Sequence, residues 1–299
     1  MIVSASYKTD IPAFFGEWFR RRLKAGACDV ANPYGGPSFT VPLGPDSVDG
    51  FVFWTRNAGP FMATLRDLHA DRRPFVVQFT ITGYPRALEA ATIPPERAVH
   101  QIREIAAAFG PRAAIWRFDP ILFSSLTPPA WHRETFARLA QTLKGSVDEV
   151  VVSFTQIYRK TQNGLDRAAR AHGLTWRDPC DDEKQDLLGD LAAIARENAM
   201  RLAVCGQKKL IVAGAHEARC IDAERLSDIA NKPIRALGKA HRKTCGCWAS
   251  KDIGAYDTCV QGCAYCYAVN GQARARAQHA RHDPAESFLV APGKKPEVF

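Results

Sequence analysis

Residues 148–155 read DEVVVSFT: two carboxylates, three consecutive valines, then Ser153, Phe154 and Thr155. An unbroken β-branched run of this kind suits a strand buried on both faces, and such strands belong to parallel sheets covered by helices. Working outward, five more runs share the character: IVSAS at 2–6, DGFVFWT at 49–55, FVVQFTI at 75–81, AAIWRF at 113–118 and RLAVC at 201–205. Between them the apolar period changes to 3.6 residues. Phe14, Phe15, Trp18, Phe19 and Leu23 face one way behind Pro12, while Arg20, Arg21 and Lys24 face the other. The same spacing predicts helices over 94–109, 129–143 and 182–200, the last with Leu187, Leu191 and Ile194 on one stripe. Six strand–helix units predict an α/β fold, a partial (β/α)6 TIM-like barrel over residues 1–240. Residues 241–299 then form a C-terminal segment packed on that barrel.

A chain of 299 residues can bury one large core, and 46% hydrophobic with 24% charged residues is the composition of a globular protein. No apolar run approaches the roughly 18 residues of a membrane span. The start, MIVSASYKTD, has no basic stretch followed by an apolar one, so a cytoplasmic protein without a membrane partner is expected. Lys and Arg outnumber Asp and Glu by 40 to 31, a net +9, which favours phosphate-bearing or nucleic-acid partners. The excess is spread over Arg20, Arg21, Arg22, Lys24, Lys208, Lys209, Arg242, Lys243, Arg274, Arg276 and Arg281, with no aromatic–basic stripe of the kind that stacks on nucleic acid.

Barrel enzymes do their chemistry where the strands end, and each run here ends in polar residues, such as Thr55-Arg56-Asn57 and Cys205-Gly206-Gln207. Arg117 interrupts an apolar strand and shares a face with Ile115 and Asp119. A buried Arg117–Asp119 ion pair and a hold on cofactor or substrate explain it equally well. Gln78 is a similar mid-strand case. The wall outlined by Arg56, Asn57, Gln78, Arg117, Asp119, Ser153 and Gln207 is polar and partly basic, and suits a small, anionic or nucleotide-like molecule. Asp10 reads as the N-cap of the first helix.

Seven of the nine cysteines fall in the last third. An odd total without a secretory segment argues against a disulfide framework. Residues 259–267 read CVQGCAYCY, with three and then two residues between the cysteines and Gly262 at the bend. Closely spaced thiolates on a short loop bind iron–sulfur clusters, because the loop wraps the cube while its amides hydrogen-bond the sulfurs. Three thiolates leave the fourth iron of a [4Fe–4S] cluster free for a small molecule.

Cys259, Cys263, Tyr265 and Cys266 fill the Cys-x3-Cys-x-aromatic-Cys pattern and so resemble the radical S-adenosylmethionine (SAM) superfamily. The resemblance implies that SAM chelates the free iron and is cleaved reductively, giving a 5′-deoxyadenosyl radical that takes hydrogen from a substrate. It also implies that Tyr265 lies against SAM and that an electron donor such as flavodoxin or ferredoxin serves the cluster; Arg117, Asp119, Gln78, Ser153 and Gln207, read from the strands themselves, are the candidate cofactor contacts. Most members carry the motif directly after the first barrel strand, whereas here it comes last. Through SASYKTDIPAFF, VFWTRN, QFTITGY, WRFDPIL, SFTQIYRKT and DIGAYDTCVQGCAYCYA, the chain is identified as a member of domain-of-unknown-function family eighteen-forty-eight, whose C-terminal cysteine cluster is radical-SAM-like. The family has no assigned reaction.

Cys205, Cys220, Cys245 and Cys247 remain. Four thiolates can complete an auxiliary iron–sulfur cluster or an all-cysteine zinc site, or Cys205 and Cys220 can be plain buried thiols. A two-Cys, two-His zinc finger over Cys263, Cys266, His279 and His282 falls short of the usual histidine spacing and leaves Cys259 unused. A non-catalytic iron–sulfur protein and a DNA-repair lyase are the other readings of the cysteine loop.

Overall fold

Val150, Val151 and Val152 lie near the middle of an eight-stranded sheet, all three buried. The structure is a computed structural model that describes residues 1–33, 35–239 and 244–291. The strands are β1 (Ile2–Ala5), β2 (Gly50–Thr55), β3 (Phe75–Thr80), β4 (Ala114–Ile121), β5 (Glu149–Phe154), β6 (Arg201–Val204), β7 (Ala215–Glu217) and β8 (Ser250–Asp252). All run parallel, in the order β7-β6-β5-β4-β3-β2-β1-β8.

The α/β fold and the six expected strands are present, and β7 and β8 are additional. The expected partial barrel of six units becomes an open eight-stranded sheet, ended by β7 on one side and β8 on the other. Both added strands escape an apolar reading because they read AHE and SKD. Their neighbours hold them in the sheet: β7 pairs with β6 and β8 with β1. The expected boundary near residue 240, with Arg242 and Lys243, lies outside the described residues. Beyond it, β8 is part of the same sheet as the first six strands.

The helices are α1 (Ile11–Phe14), α2 (Gly16–Ala25), α3 (Met62–Ala70), α4 (Pro95–Phe109), α5 (Pro129–Leu143), α6 (Arg159–His172), α7 (Asp181–Glu197), α8 (Ala223–Ala230) and α9 (Gln272–Ala280). The single helix expected from Pro12 is broken in two at Phe15, and α2 stops at Gly26, whose φ of +78° suits glycine. Strands that follow one another in space with right-handed crossovers put their helices on one face. There Phe51, Phe53, Phe79, Trp116 and Val152 pack with Trp18, Phe19, Leu65, Ile102, Leu139 and Leu191 of α2, α3, α4, α5 and α7. On the opposite face, Ile2, Val52, Val76, Ile115, Val151 and Ala203 meet Leu226 of α8, so that helix covers the amino-terminal half. The carboxyl-terminal half of that face carries Ser4, Trp54, Gln78, Arg117, Asp119 and Ser153. Among the described residues no helix is long and apolar enough to cross a membrane.

Candidate functional site

Asp252, at the end of β8, explains how the last strand delivers the cysteine loop. It is buried and accepts from Ser4 Oγ at 2.8 Å, Ser6 Oγ at 2.9 Å, Tyr7 N at 3.1 Å and Gly254 N at 3.0 Å, with Lys8 Nζ at 3.3 Å. A buried carboxylate with that many donors is stable where it stands. Gly254 follows it closely, since a Cβ there would be 2.0 Å from Ser6 Oγ. The chain leaving β8 therefore emerges over the carboxyl ends of β1, β2 and β3.

The cysteine loop is closed at its base. Asp257 N donates to Ala268 O at 3.0 Å, and the Asp257 carboxylate accepts from Asn270 N at 2.5 Å and Asn270 Nδ2 at 2.9 Å. One flank runs against residues 88–91, through Ala264 N to Leu88 O and Ala91 N to Gln261 O, both 2.9 Å. The other presses on α6, where a Cβ on Gly164 would stand 2.1 Å from Ala264 O. At the bend Gly262 has φ +77°, and a Cβ there would meet Ala90 Cβ at 3.0 Å. Asp10 joins the loop to the sheet: its carboxylate caps Ala13 N at 3.0 Å, as expected, and also accepts from Arg56 N and Gln261 Nε2, both 2.9 Å. Burial raises its pKa despite these donors.

Cys259, Cys263 and Cys266 are half-buried on this loop. Burial raises all three thiols, Cys263 to about 12, so as free groups they hold their protons. The Gln261 amide is aimed at Cys259, and the amides of Ala268 and Val269 at Cys266. Loop amides aimed at thiol sulfurs are the environment a cluster-bound thiolate uses. Among the described residues no three His, Cys, Asp or Glu side chains are grouped to hold a single metal ion. A cubane asks for a different arrangement, one thiolate for each iron.

Beside the cysteines lies a network that the sequence reading found only in part. Arg56 Nη1 pairs with Glu89 Oε1 at 2.8 Å, and its Nη2 donates to the Tyr265 hydroxyl at 2.6 Å. Tyr265 donates in turn to Glu89, as does Thr82 Oγ1 at 2.6 Å. Burial raises the Tyr265 pKa, which keeps its proton on that hydrogen bond. A pocket of about 140 Å³ opens here, walled by Arg56, Thr82, Arg86, Glu89 and the first turn of α4.

Of the other expected residues, Arg117 makes the ion pair with Asp119 that was one of its two readings. Its Nε and Nη2 fork onto Asp119 at 2.9 and 2.5 Å, while Nη1 donates to Gln78 Oε1 at 3.0 Å and approaches Cys220 Sγ at 3.1 Å. The guanidinium lies 4.9 Å from the Trp54 ring centre. Ser153 Oγ reaches Asp119 at 3.2 Å. Gln207 instead clamps the Phe154 backbone, accepting from its N at 2.7 Å and donating to its O at 3.2 Å. Asn57 accepts from Gln101 Nε2 at 2.9 Å. Arg56, Tyr265 and the three cysteines thus share one end of the site, and Gln78, Arg117, Asp119 and Ser153 form a connected wall along the sheet. His279 and His282 pack edge-on against Phe15, at 5.3 and 4.8 Å between ring centres.

No curated protein and no solved structure matches the chain. The family model described as Domain of unknown function (DUF1848) matches residues 2–268, from the first strand through the three-cysteine loop. The chain belongs to this family.

Proposed function

We propose that the protein is a radical-SAM enzyme whose [4Fe–4S] cluster is ligated by Cys259, Cys263 and Cys266. One observation carries the reading: three thiols and no more sit on a single loop, with backbone amides aimed at the sulfurs of Cys259 and Cys266, over the carboxyl ends of a parallel sheet. When bound, the cluster would supply the electron that cleaves SAM, and the 5′-deoxyadenosyl radical so made begins chemistry on the substrate.

Sheet order supports it further. The motif comes last in the chain, yet β8, which delivers it, lies at the sheet edge beside β1. Read across the sheet, the cysteine loop follows the edge strand and precedes β1 to β7, the position that most radical-SAM enzymes reach by placing the motif after their first strand.

The chain's own residues have separate tasks in this reading. Asp252 and Asp10 hold the loop on the sheet. Glu89 fixes Arg56 and Tyr265 beside Cys263, and the pocket there suits a small polar group. Arg117 and Asp119 satisfy each other, so they shape the wall and its charge, and Ser153 is the more available hydrogen-bonding group. A one-electron donor of the flavodoxin or ferredoxin kind would serve the loop.

Anaerobic reconstitution with iron and sulfide tests the ligand set. About four irons per chain and an electron-paramagnetic signal that changes on adding SAM are expected, and Cys263→Ala should lose that signal. A signal indifferent to SAM would favour an electron carrier instead.

A further inference from the structure

Cys205, Cys220 and Cys247 come from three segments, after β6, after β7 and ahead of β8, and meet on the sheet face that carries Arg117. Cys205 Sγ stands 3.4 Å from Cys220 Sγ, and Cys247 shares a side-chain hydrogen bond with Cys220. Cys220 is thus the middle of a row of three thiols. Its sulfur also receives Arg117 Nη1 at 3.1 Å, and its carbonyl accepts Gln78 Nε2 at 2.9 Å. Cys220 and Cys247 are buried, while Cys205 is half-buried and is the member a reagent can reach.

Sulfurs that bind different irons of one cubane are held apart by the cube, which a contact of 3.4 Å does not allow. A disulfide of about 2.05 Å is within reach of side-chain rotation from that contact. We propose that Cys205 and Cys220 are a redox-active dithiol that closes reversibly by exchange with a low-molecular-weight disulfide, RSSR. The Cys205 thiolate attacks one sulfur of RSSR, forming a mixed disulfide and expelling RS⁻, which takes up the proton Cys205 has lost. Cys220 then attacks Cys205 Sγ, giving up its proton to the departing thiolate, and the second RSH leaves. Two protein thiols and one RSSR become one protein disulfide and two RSH, so two electrons pass to the small disulfide. Closure draws Cys220 Sγ away from Arg117, so the wall of Gln78, Arg117 and Asp119 responds to the state of the pair. The exchange stands without the radical-SAM reading; only an effect on catalysis rests on it.

The test is to incubate the reduced full chain anaerobically with oxidised glutathione, then alkylate, digest and identify the peptides by mass spectrometry. A disulfide joining Cys205 to Cys220, with two fewer alkylated thiols and recovery in dithiothreitol, is expected. Cys220→Ser should stop at a glutathione adduct on Cys205, and Cys247→Ser should leave the Cys205–Cys220 link intact. Full alkylation of both cysteines in a chain of native circular dichroism would overturn the proposal. So would a metal ion or cluster on these thiols that blocks alkylation until a chelator removes it. Cys263→Ala should form the link as the wild type does, so failure of the three-cysteine cluster and failure of the pair are read separately.

Discussion

Glu89 Oε1 accepts from Arg56, Thr82 and Tyr265 at once, and it is the only acidic group hydrogen-bonded to the Arg56 side chain among the described residues. Both partners of the ion pair are largely out of water, so removing one leaves a buried charge uncompensated. Glu89→Gln is expected to cost about 3 kcal/mol, read as a lower urea midpoint with an unchanged slope. Glu89 was illegible in the sequence because it sits in a loop, where strand alternation says nothing, and its partners lie 33 residues before it and 176 after. Arg117 and Asp119 were legible because a charge inside an apolar strand announces its need for a partner. His132 offers a separate test. It is fully buried, its Nε2 is 3.0 Å from Leu122 O, and burial lowers its pKa from 6.5 to about 4. The fold therefore binds the neutral ring, so the stability from this group is full above pH 6.5 and is lost as pH falls from there towards 4. A loss of about 3 kcal/mol over that interval should appear in urea titrations, and His132→Gln should flatten that slope.

At the scale of elements, strands with apolar cores could be read and strands held by their neighbours could not. All six apolar runs are strands, and the helix expected over 129–143 is α5 (Pro129–Leu143). β8 reads SKD and hides because it is secured by one carboxylate and by the β1 ladder. Asp252→Ala should therefore detach the cysteine loop while the rest of the sheet stays folded. Near-native circular dichroism with markedly less iron retained after reconstitution is the expected pair of readings. Gly164→Ala tests the opposite flank: its Cβ would press on Ala264 O at 2.1 Å, so either the loop or α6 must move. A cost of about 1–3 kcal/mol and weaker iron retention are expected, whereas Gly189→Ala on α7, with open space around it, should leave retention unchanged.

For the whole molecule, the repeated strand–helix alternation made the α/β class legible, but the closure of the sheet was not. Curvature and edges depend on where the last strands pair, and β7 and β8 are too short and polar to announce that. Their pairing gives an open sheet and sets the three-cysteine loop beside the first strand. The wall of Gln78, Arg117, Asp119 and Ser153 follows from strand alternation, while the Arg56–Glu89–Tyr265 end depends on long-range contacts. The most direct measurement is of 5′-deoxyadenosine after the reconstituted protein is reduced with SAM under anaerobic conditions. A radical-SAM enzyme forms it, and Cys263→Ala does not; an intact, reduced cluster that leaves SAM uncleaved would contradict the proposed function.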